Sequence, residues 1–302
     1  MRKTTRLKEL ILQRQALPVP GVYDCLTARL AEQAGFQAVQ VSGYGLSAAL
    51  LGQPDVGLLS FGEVLEMTRR IVAAVDIPVM ADGDTGYGNA LNTYRTVREF
   101  EAVGCAGINL EDQVSPKRCG HMDGKELIPV EEMVNKIRAA VEARRDPDFV
   151  INARTDAIAV EGIEGAIRRG NAYAEAGADL IFVEAPRSRE EIERVVREIN
   201  APVSINMLDF GKTPLIPLDE LRAMGVARVS FPLTTLFAAA YNVLGALEHL
   251  KVHGCMTGYH DRMMTFAEFT ERMGLPAIRE LEERFLLPEQ LERKYGGNRE
   301  GR

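Results

Sequence analysis

Three carboxylates stand in a pattern that could hold a cation: Asp82 and Asp84 flank Gly83, and Glu111 follows further on. Oxygen ligands with few histidines favour a hard divalent ion, Mg2+ or Mn2+, over zinc. The same Asp-Gly-Asp-Thr-Gly run also reads as an ordinary turn with solvated carboxylates. Past Glu111 comes Ser115-Pro116-Lys117-Arg118-Cys119-Gly120-His121. A thiol flanked by lysine, arginine and histidine lies in a field that favours thiolate and has a proton within reach. Gly120 gives the backbone the mobility a lid loop needs. The plain alternative is a small apolar cysteine filling a loop pocket, with Lys117 and Arg118 facing water. Cys25, Cys105 and Cys255 read as packing residues, and His249, His253 and His260 as surface residues. No Ser/His/Asp nucleophile arrangement is evident.

Such groups need a frame that brings distant segments together. One phrase recurs: an amphipathic helix, a glycine, then a β-branched run. It runs from Leu30 to Gly35 before Ala38-Val39-Gln40-Val41, and from Phe100 to Gly104 before Ile108-Asn109-Leu110. It returns with Gly177 before Leu180-Ile181-Phe182-Val183 and Gly225 before Arg228-Val229-Ser230-Phe231. Glycine there ends a helix in the left-handed conformation and turns the chain into a strand. The intervals give eight strand candidates, 17–23, 38–42, 78–82, 106–110, 149–154, 180–184, 202–206 and 228–232. Helical periodicity lies between them, as in Val64, Met67, Thr68, Ile71, Val75 and in Met133, Ile137, Ala140, Val141. Short apolar runs alternating with helices predict a parallel α/β fold, a (β/α)8 TIM-type barrel. A doubly wound sheet is the runner-up, but Gly43-Tyr44-Gly45 lacks the third glycine of a dinucleotide loop.

In such a barrel the C-terminal strand ends line the active site. The polar residues collect there: Ser42-Gly43-Tyr44, Asp82-Gly83-Asp84, Glu111-Asp112, Arg154-Thr155-Asp156, Glu184 and Asn206. That many around one mouth point to an active site.

Composition narrows the classes further. The chain has 302 residues, with Lys+Arg 36 against Asp+Glu 43 and a net charge of −7. That argues against affinity for nucleic acid or anionic lipid. Hydrophobic residues at 46% supply a large core, which excludes overall disorder. The four scattered cysteines suit a reducing cytoplasm, and Met1 to Gln15 has no apolar signal core. Val229 to Leu247 carries no charge over 19 residues, near the length of a membrane span. Pro232, Thr234, Thr235 and Asn242 interrupt it, so a strand followed by a buried helix is expected, in a soluble protein. The barrel, with an N-terminal helix, is expected over 1–254 and a helical extension over 255–302, ending in the polar stretch Lys294 to Arg302.

Lys117-Arg118-Cys119-Gly120-His121 combines with Ala81-Asp82-Gly83-Asp84-Thr85-Gly86-Tyr87-Gly88 and Asn152-Ala153-Arg154-Thr155-Asp156. In these the sequence resembles the isocitrate lyase/phosphoenolpyruvate mutase superfamily. It is most similar to the branch of methylisocitrate lyase, dimethylmalate lyase and carboxyphosphonoenolpyruvate phosphonomutase. The resemblance covers roughly residues 6–290. It implies a barrel whose eighth helix is swapped between subunits of a homotetramer, a dimer of dimers. It also implies a Mg2+ site at Asp82 and Asp84, with Asp55 and Glu111 reaching it largely through waters. Ser42, Gly43 and Tyr44 then cradle the carboxylate of a 2-oxo acid. Cys119 is implied as general acid on a gating loop with Lys117, Gly120 and His121, while Arg154, Glu184 and Asn206 hold substrate oxygens.

Two departures bear on the substrate. Methylisocitrate lyases carry arginines for a third carboxylate at positions that here read Phe237 and Phe266. An unpaired carboxylate against phenyl rings costs several kcal/mol, about the penalty for burying unsatisfied charge, so an alkyl group is expected there. The position two before Ser42, usually aromatic in the lyases, is Gln40. The expected activity is a carbon–carbon lyase for a small 2-hydroxy dicarboxylate of the 2-alkylmalate type, with 2,3-dimethylmalate foremost. Carboxyphosphonoenolpyruvate phosphonomutase, methylisocitrate lyase and oxaloacetate decarboxylase or hydrolase are the enzymatic alternatives, and a silent metabolite-binding barrel is the non-enzymatic one.

Overall fold

A computed structural model of the chain describes residues 1–295; residues 296–302, most of the expected polar end, lie outside the described residues. Eight parallel strands close into a barrel in sequence order. They are β1 (Leu17–Val22), β2 (Val39–Val41), β3 (Val79–Asp82), β4 (Gly107–Glu111), β5 (Val150–Thr155), β6 (Leu180–Val183), β7 (Val203–Asn206) and β8 (Arg228–Phe231). All eight expected strands are present. Most of their residues are buried, as strands enclosed by a ring of helices must be.

Helix α1 (Lys3–Leu12) precedes the barrel. Its Leu7 and Ile11 pack with Leu17, Val19, Ala38, Ala106, Val150 and Ala227 at the N-terminal strand ends and close that end. The connecting helices are α2 (Cys25–Gln33), α3 (Gly43–Leu51), α4 (Phe61–Ala74), α5 (Ala90–Ala102), α6 (Val130–Ala143), α7 (Gly162–Glu175), α8 (Arg189–Glu198) and α9 (Leu218–Met224). The periodic residues Val64, Thr68 and Ile71 of α4 and Met133, Ile137 and Ala140 of α6 are buried, as their spacing requires. The glycines of the recurring phrase, Gly35, Gly104, Gly177 and Gly225, take φ from 85° to 102°. A β-carbon would strain that conformation.

Helix α10 (Thr234–His253) follows β8. The uncharged stretch is thus a strand and a helix, but not a buried helix: none of the 20 residues of α10 is buried in the single chain. Among the described residues no helix is long and apolar enough to cross a membrane. The chain divides into two compact units within α10, Met1–Ala239 and the segment from Ala240 on. The second unit holds the rest of α10, α11 (Phe266–Arg272), α12 (Leu275–Phe285) and α13 (Pro288–Tyr295). Thr265 caps α11 with Glu268 in a reciprocal box, and Glu282 of α12 bonds Lys294 and Tyr295 of α13. Cys255 is exposed rather than packed, while Cys105, just before β4, is buried.

Candidate active site

The C-terminal strand ends converge on one cleft. Gln40, Ser42, Gly43, Tyr44, Asp55, Asp82, Lys117, Cys119, Gly120, His121, Arg154, Glu184, Asn206, Leu208, Pro232 and Leu233 line it. Strand β2 leads directly into α3, whose N-cap is Ser42; its Oγ accepts from the Gly45 amide at 3.1 Å. Gly43 N–H donates to Asp82 Oδ2 at 3.0 Å. A β-carbon on Gly43 would fall 2.5 Å from that oxygen, so this approach of α3 to β3 needs glycine.

Asp82 ends β3, and its Oδ1 accepts the Asp84 amide at 3.3 Å. Lys117 reaches in from the loop after β4. Its Nζ lies 2.7 Å from Asp55 Oδ2 and 2.9 Å from Asp84 Oδ1. Burial alone would lower the lysine's pKa, but Asp84 and Asp55 reverse that and hold it charged. Asp84 is pushed up to about 6 by burial, with Lys117 pulling against that and Asp82 and Asp55 adding to it.

Parallel register places Glu111 of β4 beside Arg154 of β5. Arg154 Nε is 3.3 Å from Glu111 Oε2 and donates to Asp156 Oδ2 at 2.8 Å, and Nη1 lies 3.2 Å from Glu184 Oε2. Asn206 Nδ2 donates to the same Glu184 oxygen at 3.0 Å. Burial would raise Glu184, but Arg154 and His121 outweigh it and hold the carboxyl below its usual range.

The loop residues do not act on the thiol as their sequence order implies. Lys117 is committed to the carboxylates, Arg118 is exposed, and His121 Nε2 lies 3.0 Å from Glu184 Oε1. Burial instead raises the Cys119 pKa, with Glu184 and Asp55 adding to it and the His121 backbone opposing. The expected thiolate field is corrected to a site that keeps the thiol protonated, because desolvation disfavours the charged form. Gly120 packs so tightly that a β-carbon would meet Arg154 Nη2 at 2.4 Å and Glu184 Cδ at 2.5 Å.

Phe237 does not line this cleft among the described residues. It lies one helical turn past Leu233, whose carbonyl accepts its amide at 2.9 Å, and is exposed. Leu208, Pro232 and Leu233 supply the apolar lining instead. Phe266 opens α11 in the second unit. Two supports escaped the sequence reading. Lys125, fully buried, bonds Asp156 Oδ1 at 2.9 Å and the Gly120 carbonyl. Gln113 clamps the Arg118 backbone, accepting its N–H at 3.0 Å and donating to its carbonyl at 2.9 Å. Neither type in its sequence context signals burial.

The carboxylates fit a hard cation. The donor set of Asp55, Asp82, Asp84 and Glu111 contains no sulfur or nitrogen, and the buried Glu111 Oε1 has no hydrogen-bond partner. Among the described residues no three such side chains already form a cage. An all-oxygen set of this kind fits Mg2+, which takes one or two carboxylates together with waters and substrate oxygens.

Comparisons with known proteins agree with this geometry. The family described as phosphoenolpyruvate phosphomutase matches residues 7–251. The 2,3-dimethylmalate lyase of Eubacterium barkeri is 46% identical over 285 residues, covering 94% of this chain and 99% of the relative. A 2-methylisocitrate lyase of Aeropyrum pernix is 46% identical, covering 89% of this chain and 86% of its own. A phosphonopyruvate hydrolase solved with oxalate and Mg2+ superposes with a TM-score of 0.87 at 34% identity, over 95% of this chain and 100% of that one. A closed barrel, a carboxylate-lined mouth and these matches give one conclusion: the chain is an enzyme of the phosphoenolpyruvate phosphomutase family, in the branch that holds its carbon–carbon lyases.

Proposed function

We propose that this enzyme cleaves the C2–C3 bond of a 2-alkylmalate, with 2,3-dimethylmalate the best-fitting substrate, giving pyruvate and propionate. The observation that carries the reading is Cys119, a half-buried free thiol lining the same cleft as Arg154 and the carboxylates.

Asp82 and Asp84 would hold Mg2+ or Mn2+, with Asp55 and Glu111 behind them. The ion supplies Lewis-acid polarisation of the 2-hydroxyl and its neighbouring carboxylate. The N-terminus of α3, with Ser42, Gly43 and Tyr44, is suited to the carboxylate of the pyruvate half, since the positive end of a helix dipole attracts anions, as it already does the Asp82 carboxylate at the Gly43 amide. Transfer of the hydroxyl proton to a carboxylate of the mouth would let the C–O bond become C=O as the C2–C3 electron pair moves into the departing carboxylate. Arg154 and Asn206 would stabilise the resulting charge, held as they are by Asp156 and Glu184. Cys119 then donates its proton to the new carbanionic carbon. Lys117, Gly120 and His121 seat the loop that carries the thiol.

Gln40, in place of an aromatic residue, favours a second reading, a phosphonomutase, which needs Arg154 and the metal but no proton donor. The test is a screen of 2-hydroxy dicarboxylates and phosphonopyruvate-type acids with released pyruvate measured. Cleavage of alkylmalates supports the lyase, and turnover of phosphonates alone sinks it.

The bare apolar residues of α10, among them Val243, Leu244 and Leu247, support packing of the C-terminal helices on a second copy in a homotetramer. Four unpaired cysteines, including the one the chemistry uses, suit a reducing cytoplasm.

A further inference from the structure

The barrel interior beneath the cleft holds a charge that the chemistry above does not use. Arg228, the first residue of β8, is fully buried and turned inward. Its Nη1 donates to Ser204 Oγ at 2.9 Å, its Nη2 donates to Gln40 Oε1, and its Nε has no partner. No carboxylate contacts it among the described residues. Lys117 and Arg154, by contrast, are each shared among several carboxylates. Burial lowers the Arg228 pKa to about 9, which leaves it charged at neutral pH.

The guanidinium fixes the orientation of Gln40. Arginine can only donate, so the glutamine oxygen must face it. Ser230 Oγ donates to the same oxygen at 3.3 Å. With Oε1 engaged below, the amide N–H2 is the end left for the cleft, which Gln40 lines. A donor there, backed by an uncompensated cation, suits an oxyanion in a mouth otherwise crowded with carboxylates.

We infer that Gln40 is a substrate-recognition residue that donates a hydrogen bond to a substrate oxyanion, and that buried Arg228 is the positioning residue that holds it in that sense. The ligand class is a 2-oxo or 2-hydroxy carboxylate, so the inference rests on the proposed function for its substrate. It assigns this position a donor and excludes Gln40 as the base.

Gln40→Glu is the decisive variant. A carboxylate there gives Arg228 its missing counter-charge and presents an acceptor where the wild type presents a donor. Calorimetric titration with oxalate in the presence of Mg2+ should show at least tenfold weaker binding in Q40E than in wild type. Its thermal unfolding midpoint should be equal or higher. If Q40E fails to fold, Gln40→Met, similar in shape and unable to donate, should show the same loss. Arg228→Lys should recover more affinity than Arg228→Met, because a merely structural arginine would not separate them in this way. Unchanged oxalate affinity in the Gln40 variant, or no oxalate binding by wild type, overturns the inference. Oxalate binding that responds as stated in an enzyme that cleaves no alkylmalate overturns the proposed substrate and leaves the Gln40 assignment standing.

Discussion

The Lys117 ammonium lies 2.9 Å from the Asp84 carboxylate, inside the acidic cluster. Loop and acidic cluster are therefore one electrostatic unit, and loss of either carboxylate of β3 or its turn should reach the loop as well. Asp84→Ala is expected to abolish turnover while the fold persists. Exhaustive EDTA treatment should do the same, reversed by Mg2+ or Mn2+. Full activity in metal-free protein, verified by elemental analysis, would refute the cation assignment.

Cys119→Ser should slow carbon–carbon cleavage by about 100-fold or more, within the range that general acid catalysis contributes. A hydroxyl is a much weaker acid than a thiol, so the proton step should become limiting. Cleavage near the wild-type rate would make Cys119 a packing residue. A phosphonomutase would show a milder effect, so the same variant separates the two enzyme readings.

Gly120→Ala tests how closely the loop is seated. The added carbon would overlap both Arg154 and Glu184, so either the loop backs away and carries Cys119 with it or those two cleft side chains are displaced. A displacement of that kind costs on the order of 100-fold in rate. The expected result is a large fall in kcat with near-normal thermal stability, and unimpaired kcat would show that the loop works in another position.

Asp156 gives a pH-dependent test. Burial would raise its carboxyl, but Arg154 and Lys125 outweigh that and hold it at about 2, against an ordinary 3.8. A depressed carboxyl stabilises the fold fully above its unfolded value and loses that effect as pH falls through the folded one. Asp156→Asn should therefore lower unfolding free energy at pH 7 by about 2–3 kcal/mol, the equivalent of the shift. The gap to wild type should narrow between about pH 4 and pH 2. Urea denaturation across that range decides it, and a gap independent of pH would contradict the coupling.

Leu208 and Leu233 line the cleft, and the proposed substrate preference is tested on that apolar lining. An apolar lining accepts a methyl group worth roughly 1–3 kcal/mol, or about 10- to 200-fold. A third carboxylate there would be buried without a partner, at greater cost. Malates with small alkyl groups should surpass methylisocitrate in kcat/KM, and the reverse order would discard this account of the lining.

The barrel was legible because the helix–glycine–strand phrase is local chemistry: Gly35 or Gly225 ends its helix wherever the rest of the chain goes. The mouth residues were legible because the ends of those strands had to converge. What the sequence hid depends on distance along the chain. Lys117 sits next to Cys119's own neighbours in sequence, yet its partner is Asp55, far upstream. Arg228 reads as a strand residue of no special note, and only the closed barrel puts Gln40 against it. Phe237 was placed by alignment with residues that hold a carboxylate elsewhere, whereas the apolar residues that line the cleft are Leu208, Pro232 and Leu233.

The uncovered helix α10 has a consequence beyond assembly. A segment of 20 residues with none buried leaves apolar surface in water when the chain stands alone. If a second copy covers that surface, as proposed above, it binds the folded state only, and the protein's melting temperature becomes a function of how much of it is in solution. Dilution would then act on this enzyme as a mild denaturant, and a cell that makes little of it would hold a less durable catalyst than one that makes much.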